Sequence, residues 1–275
     1  KNIDFVIIST PHYLLSKIAI FALKKKIHVF VEKPGGINSY ELKEIISLQK
    51  KFKKNVYIAY NHIYHPSIIK AKKIIEDGEI GKILYIRARY GHGGRLGYEK
   101  EWRAKPEQSG GGEIIDQGSH LINLSIYFLG KLNKIQSYLG TFFWNMKVED
   151  NGFLILRNNE NQVSFIHASC TEWKNKFSFE IFGKLGKLEV RGLGGSYGTE
   201  KLTFYKMLKK MGPPDIYNWN FKNKDRSWKI EINNFLEHIN NNTYDNKNLI
   251  NAYETIKIIS KVYKQNKYDY SKKST

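Results

Sequence analysis

Short apolar runs alternate with amphipathic stretches over the first part of the chain. The runs Asp4–Ser9, Ile27–Val31 and Val56–Tyr60 are rich in continuous hydrophobic residues, which is typical of parallel strands buried on both faces. Between them, Leu14–Leu23 and the stretch that begins at Asn38 place apolar residues on one face at helical spacing. This alternation predicts an α/β fold that contains the C-terminal half of a doubly wound parallel sheet.

The remainder of the chain shows shorter runs with strand character, followed by two amphipathic helices. Ile83–Tyr90 alternates well enough for a strand that carries Arg87 and Arg89 on one face. Further strands are predicted at Phe142–Trp144, Asn151–Leu156, Val163–Ser169, Phe177–Phe182, Lys187–Val190 and Lys201–Tyr205, and closing helices at Ile230–Ile239 and Leu249–Tyr263.

A doubly wound sheet that binds a dinucleotide carries a glycine-rich turn in its first half. Gly91–Gly97 and Gly192–Gly198 each miss the spacing of that turn and precede no amphipathic helix, so both are predicted to be loops. The first residue is Lys1 rather than Met, and the first predicted strand would have a bare apolar edge. We therefore expect a preceding N-terminal part of about 60–70 residues, because each βαβ unit needs about 30 residues.

Composition excludes several classes of protein. A hydrophobic fraction of 41% in 275 residues excludes a disordered tail. No apolar stretch approaches the roughly 18 residues of a membrane span, so no membrane partner is expected. Cys170 is the single cysteine, which excludes an internal disulfide and favours a reducing, cytoplasmic setting.

The chain is strongly basic, with 45 Lys and Arg against 26 Asp and Glu and a formal net charge of +19. The excess is mostly scattered lysine, and the sequence has no zinc finger, RNA-binding aromatic signature or basic zipper. We expect no nucleic-acid partner. Attraction to an anionic substrate, such as a sugar nucleotide, explains the charge more simply.

Lys33 follows a predicted buried strand in the segment Glu32-Lys33-Pro34, and therefore lies at the carboxyl edge of the sheet, where open parallel sheets bind ligands. An ammonium group there can lower the pKa of a substrate hydroxyl. The alternative is a solvated lysine at a strand end.

A second candidate site follows the three glycines Gly110, Gly111 and Gly112. Asp116 and His120 are spaced i and i+4, which places them on one helical face. A carboxylate beside an imidazole can orient it as a general base. The alternative is an acidic residue near a helix N-terminus beside a structural histidine.

Together these motifs form an ordered set: Val31-Glu32-Lys33-Pro34, Tyr60–Pro66 followed by Gly78–Lys82, Trp102-Arg103 and Gly110–His120. The set resembles the Gfo/Idh/MocA family of NAD(P)-dependent sugar oxidoreductases. The resemblance implies a partial nucleotide-binding domain over 1–62, then a domain over 63–275 with an open, mainly antiparallel sheet and C-terminal helices. It implies a homo-oligomer formed through that sheet, with NAD or NADP as cofactor. It also implies that Lys33, Asp116 and His120 are the catalytic residues and contact substrate.

Other positions are carried over from the same resemblance. Cofactor contacts are implied at Ser9, Thr10, Pro11, Glu32, Lys33, Asn61, Trp102 and Arg103. The chain departs from the family pattern at His12, Leu15, Ile63 and Asn123. Asn123 stands where aspartate is common, and is expected to hydrogen-bond a sugar hydroxyl without acting as a base.

The predicted function is hydride transfer between a nicotinamide and a secondary alcohol or ketone of a sugar or nucleotide sugar. In this hypothesis His120 takes the hydroxyl proton, Lys33 stabilises the alkoxide and Asp116 orients the site. Two alternatives remain: an NAD-dependent glycoside hydrolase of the same fold, or a non-catalytic relative that binds sugar or forms oligomers. A metal site at His62 and His65 is not expected, because no acidic partner lies nearby in the sequence.

Overall fold

The first part of the chain folds into the predicted alternation of strands and helices. The computed structural model describes residues 3–210, 212–222 and 224–268. Its first elements are β1 (Phe5–Ile8), α1 (His12–Lys24), β2 (His28–Glu32), α2 (Ser39–Phe52) and β3 (Val56–Ala59). The three strands form a parallel sheet in the order β1-β2-β3, here called sheet A. The predicted half of a doubly wound sheet is therefore confirmed.

The two edges of sheet A differ. Within the described residues, β1 pairs only with β2, and its Ile7 side chain is 54% exposed. At the other edge, Asn248 holds the main chain of β3: its Oδ1 accepts from the Ile58 N–H at 2.7 Å and its Nδ2 donates to the Ile58 carbonyl at 2.9 Å. The side-chain amide thus replaces a neighbouring strand there.

The second sheet, sheet B, has eight strands in the order β11-β10-β9-β8-β4-β7-β6-β5. All neighbouring strands are antiparallel except β4 and β7. The strands are β4 (Ile83–Gly91), β5 (Lys134–Gly140), β6 (Asn151–Arg157), β7 (Val163–Ser169), β8 (Lys176–Gly183), β9 (Gly186–Arg191), β10 (Glu200–Lys206) and β11 (Asp215–Phe221). The helices before and between them are α3 (Pro66–Glu76), α4 (Pro106–Ser109) and α5 (Ser119–Leu129).

One predicted strand is wrong. Phe142–Trp144 lies in the loop between β5 and β6, because the buried carboxylate of Asp150 accepts hydrogen bonds from the main-chain N–H groups of Phe142, Phe143 and Trp144. Hydrogen bonds to this side chain therefore take the place of hydrogen bonds to a neighbouring strand. The predicted loops at Gly91–Gly97 and Gly192–Gly198 are confirmed, since neither leads into a helix of the nucleotide-binding kind.

Sheet B has one covered face and one open face. In β4, Ile86, Ala88 and Tyr90 are buried and β4 contacts α5, whereas Arg87 and Arg89 alternate with them and are exposed. The prediction that the two arginines share a face is confirmed. On the open face, Arg87 donates to Glu180 of β8 at 2.5 and 3.0 Å.

The chain returns to sheet A at its end. Helix α6 (Ser227–Asn240) packs on the sheet through Phe235, whose ring lies 5.5 Å from that of Phe30 and 6.4 Å from that of Tyr57. Helix α7 (Lys247–Gln265) contacts α2 and α5. The division at residues 62 and 63 stays a prediction. No helix within the described ranges is long and apolar enough to cross a membrane.

Candidate active site

Lys33 lies where β2 ends, at the carboxyl edge of sheet A, as predicted. Its ammonium donates to Oδ1 of Asp116 and, at 3.0 Å, to the main-chain carbonyl of the same residue. The Lys33 side chain is only 17% exposed. Lys33 is therefore ion-paired with a residue that lies just before α5. This excludes the alternative of a solvated lysine at a strand end.

Asp116 lies in one π-helical turn, Ile114–Gly118, immediately before α5. Its second oxygen, Oδ2, accepts from Nε of Arg103 at 3.1 Å. Burial alone would raise the pKa of Asp116, but the charges of Lys33, His12 and Arg103, together with the Lys33 hydrogen bond, outweigh it and hold the pKa well below its usual range. Asp116 is thus a carboxylate shared by two cations.

The expected pairing of Asp116 with His120 is not found. In the described structure the two carboxylate oxygens of Asp116 bind Lys33 and Arg103, and no hydrogen bond joins them to His120. The i, i+4 spacing brings the residues near one another, but two full positive charges attract a carboxylate more strongly than a neutral imidazole does. Asp116 therefore binds Lys33 and Arg103 instead of His120.

His120 is held by aromatic rings. The ring of His62 stacks on it at 3.8 Å with an interplanar angle of 14°, and Tyr60 and Tyr90 contact it edge-on at 5.6 and 6.0 Å. Burial, followed by the charges of Lys33 and His65, lowers the pKa of His120 well below 6.5. Its Nδ1 is buried and has no hydrogen-bond partner within the described residues. His120 is therefore a neutral imidazole at neutral pH, as a general base must be.

Trp102 and Arg103 are brought to this site as predicted. The Arg103 guanidinium lies 4.5 Å from the Trp102 ring, and the His12 ring contacts Trp102 edge-on at 4.8 Å. Nδ1 of His12 also lies 2.7 Å from the Ser109 carbonyl. Because His12 directly follows Ser9–Pro11, it links the end of β1 to the Asp116 cluster.

Two further predicted residues share a small cavity with the catalytic candidates. Glu32 and Asn61 line a cavity of about 80 Å³ together with Lys33 and His120. Asn123, by contrast, donates to Oγ1 of Thr255 on α7 at 3.4 Å and lines a different cavity, between α5, α6 and α7. Because its hydrogen bond to Thr255 directs Asn123 towards α7, the structure does not bring Asn123 together with Lys33 and Asp116.

The sequence did not single out Glu113, which lies behind Asp116. Tyr98 donates to its Oε1 at 2.8 Å, and His92 lies 3.6 Å from the same oxygen. Burial, with a further contribution from Asp116, raises the pKa of Glu113 to about 8. The sequence analysis weighed His62 only as a metal ligand and missed its stack on His120. The available signal was its place in the segment Tyr60–Pro66, which belongs to the ordered set of motifs. Within the described ranges no group of three or more His, Cys, Asp or Glu is arranged to hold a metal ion.

Two family models match the chain. One, described as an oxidoreductase family with an NAD-binding Rossmann fold, matches residues 1–60. The other, described as the GFO/IDH/MocA C-terminal domain, matches residues 68–189. The chain belongs to the GFO/IDH/MocA oxidoreductase family. This membership confirms the resemblance carried by the sequence motifs.

Individual relatives agree with this family. The chain is 30% identical to levoglucosan dehydrogenase of Pseudarthrobacter phenanthrenivorans over 155 residues, which are 55% of this chain and 39% of that protein. It is 29% identical to 2,7-anhydro-N-acetylneuraminate hydratase of Escherichia coli over 210 residues, or 69% of this chain and 52% of that protein. The matched part is thus about half or less of each relative's length.

The fold is that of solved members of the family. A structure of levoglucosan dehydrogenase in complex with NADH and levoglucosan superposes with a TM-score of 0.85 at 21% identity, covering 96% of this chain and 78% of that one. This likeness confirms the predicted fold class, a parallel sheet followed by a mainly antiparallel one.

The described residues fit one end of a nicotinamide dinucleotide. Lys33, Glu32 and Asn61 line a cavity together with His120, and this polar lining suits a polar, planar group at the end of the strands. Among residues 3–210, 212–222 and 224–268, no glycine-rich turn joins a strand to a helix in the way that pyrophosphate binding requires. Ser9–Pro11, Glu32, Lys33, Asn61, Trp102 and Arg103 stay the predicted contacts of the nicotinamide end.

Proposed function

We propose that the protein is an NAD(P)-dependent oxidoreductase that transfers a hydride between a nicotinamide and a secondary alcohol or ketone of a sugar or nucleotide sugar. The observation that carries the proposal is the ion pair between Lys33 and Asp116, together with the neutral, buried His120 near it. A scaffold that only binds sugar or forms oligomers needs no such combination. The levoglucosan dehydrogenase relative supports the substrate class.

His120 accepts the proton of the substrate hydroxyl. Its pKa lies well below 6.5, so at neutral pH it is unprotonated and able to do so. When bound, the nicotinamide supplies the acceptor for the hydride that leaves the same carbon. The substrate O–H and C–H bonds break, a C=O double bond forms, and the reverse reduction uses the same groups.

Lys33 stabilises the negative charge that develops on the substrate oxygen. Its ammonium is held by Asp116, and Asp116 is held in turn by Arg103, so the charge is fixed before substrate arrives. A preorganised donor in a buried site contributes more than the same charge in water.

The test is steady-state turnover of the full-length protein with NAD and NADP against a panel of sugars and nucleotide sugars, followed by absorbance of the reduced cofactor. We expect His120→Asn to lower kcat by a factor of about 10²–10⁴ while the far-ultraviolet circular dichroism is retained. His238→Asn, on the surface of α6, is the matched control and is expected to keep the wild-type rate. A wild-type protein that reduces neither cofactor with any compound contradicts the proposal.

A second candidate is favoured by the hydratase relative, which is matched over a larger share of this chain than the dehydrogenase. In this alternative, as in the glycoside hydrolase of the same fold, the nicotinamide is oxidised and reduced within one turnover. Consumption of an anhydro sugar or glycoside without net change in cofactor absorbance would select it. The roles of Lys33 and His120 are the same in both candidates.

A homo-oligomer formed through the open face of sheet B is part of the proposal. The open face exposes Arg87, Arg89 and the large apolar side chains Ile155 and Phe165, a mixture typical of protein interfaces. Phe165→Glu is expected to reduce the mass measured by light scattering during size-exclusion chromatography; an unchanged mass contradicts this interface. A cytoplasmic location also remains a proposal, based on the single cysteine.

A further inference from the structure

Helix α6 brings a buried carboxyl group to the cavity beside Lys33. Glu231 is 2% exposed and lines the cavity of about 80 Å³ together with Glu32, Lys33, Ala59, Asn61, His120 and Trp228. Neither the sequence motifs nor the proposed mechanism uses this acid. A cavity of this size holds at least one water molecule.

The position of Glu231 is fixed from both sides along α6. Four residues before it, Oγ of Ser227 accepts from Nδ2 of Asn61 at 2.9 Å. Four residues after it, Phe235 packs against Phe30 and Tyr57 of sheet A. Residues spaced by four lie on one helical face, so the same contacts that dock the helix direct Glu231 towards the end of β2.

Glu231 lacks a cation. Its Oε1 is buried without a hydrogen-bond partner, and no salt bridge to Glu231 occurs in the described parts of the chain. Burial and the nearby charge of Glu32 raise the pKa of Glu231 to about 9. Burial also raises the pKa of Glu32, although the charge and the main-chain N–H of Lys33 act against that rise. Because Glu32 lies beside Lys33 and Glu231 has no cation beside it, the proton is favoured on Glu231.

We propose that Glu231 is a positioning residue for Lys33: it holds a proton opposite Glu32, so that the two carboxyl groups together carry a single negative charge. No hydrogen bond joins the two carboxyl groups directly within the described residues, so a water molecule in the cavity would connect the proton of Glu231 to Glu32. The catalytic part of this inference rests on the proposed function, whereas the shared proton does not.

The charge balance explains why one proton matters. Lys33 and Arg103 are cations, and Asp116 and Glu32 are the anions closest to them, which leaves the site neutral. A second anion at Glu231 would pull the Lys33 ammonium away from Asp116 into the cavity. The titratable groups that face Glu231 are Glu32 and Lys33 from the end of β2, His120 from α5, and Tyr57 and Tyr64 from β3 and the turn after it.

The shared proton is tested by urea unfolding at 25 °C between pH 5.5 and 8.5, with Glu231→Gln and the matched control Glu237→Gln on the exposed side of α6. Because the folded pKa of Glu231 is raised above its unfolded value, wild-type stability is complete at low pH and falls as pH rises towards 9. The unfolding constant of the wild type should therefore rise about tenfold per pH unit relative to that of Glu231→Gln. Glu237→Gln should follow the wild type. Parallel curves for wild type and Glu231→Gln overturn the proposal.

The positioning role is tested by turnover of the full-length protein with Glu231→Leu and Glu231→Gln. Leucine removes the donor, so kcat should fall by about tenfold or more. Glutamine can still donate to Glu32 through that water molecule in the cavity and should rescue much of the loss, without the decline of kcat above about pH 9 that is expected for the wild type. Equal kcat for the two variants at every pH overturns the role. If the wild type turns over nothing, the proposed function fails, and the urea comparison alone decides whether Glu231 holds the proton.

Discussion

The ammonium of Lys33 donates to Asp116 twice, to the carboxylate Oδ1 and to the main-chain carbonyl at 3.0 Å, across a separation of 83 residues. The contact joins the end of β2 in sheet A to the π-helical turn that precedes α5. The main-chain bond does not depend on the Asp116 side chain.

Replacing Asp116 by Asn removes the anion between Lys33 and Arg103. We expect a loss of about 3 kcal/mol in the free energy of unfolding at pH 7, at the low end for broken buried pairs because Arg103 is 38% exposed. The pKa of Asp116 is depressed, so its contribution is complete above about pH 4 and is lost at lower pH. Urea unfolding at pH 7 and pH 3 measures this. Asp77→Asn, in an exposed pair with Lys73, should change stability by less than about 0.5 kcal/mol; an equal loss in both variants contradicts the account.

The stack of His62 on His120 predicts a difference between two substitutions at residue 62. Phenylalanine keeps a flat ring against His120 and should cost less than about 1.5 kcal/mol, whereas alanine leaves a cavity and should cost about 2–5 kcal/mol. The loosened imidazole should also lower kcat further in His62→Ala than in His62→Phe. Similar kcat values in the two variants would show that the stack does not hold the base.

His12 predicts loss of stability in acid. Burial, then the charge of Lys33, lowers the pKa of His12 to about 4, so the fold favours its neutral form. That contribution is complete above pH 6.5 and is lost as the pH falls to 4. Relative to His12→Asn, the wild type should lose about 3 kcal/mol of unfolding free energy across this range. His238→Asn is expected to follow the wild-type curve. A constant difference between wild type and His12→Asn would contradict the assignment.

Gly112 precedes the site and allows close approach of another chain segment. A Cβ atom there would lie 2.0 Å from the main-chain oxygen of Glu149, whose carboxylate also accepts from the Gly112 N–H at 3.0 Å. Gly112→Ala should therefore cost about 1–3 kcal/mol and displace Asp116. Gly212→Ala, where no atom lies within 4 Å of the added Cβ, is the control. Thermal unfolding of both variants measures the difference, and equal midpoints would exclude the clash.

The sequence predicts sheet A well because a parallel strand covered on both faces is a continuous apolar run. Ile27–Val31 is predicted and His28–Glu32 is found. The start of α2 is equally local: Asn38 accepts from the main-chain N–H groups of Tyr40 and Glu41. These features depend on neighbours in the chain.

Features that depend on distant partners were missed. Phe142–Trp144 has the composition of a strand, but its N–H groups bind Asp150. Strand β11 (Asp215–Phe221) was missed because it lies at the sheet edge and is mostly exposed, so little in its pattern marks a buried face. The sequence motifs likewise supplied Lys33, Asp116 and His120, whereas Arg103 as a partner of Asp116 and His62 as a partner of His120 are tertiary contacts.

The measurement that most directly tests the account is kcat of the full-length protein with Lys33→Met, compared with Lys73→Met on the exposed face of α3. Methionine keeps most of the side-chain volume and removes the ammonium that binds Asp116. The account predicts that kcat falls by a factor of about 10²–10³ in Lys33→Met and stays at the wild-type value in Lys73→Met. A folded Lys33→Met protein with wild-type turnover would contradict the central claim that this ion pair forms the catalytic site.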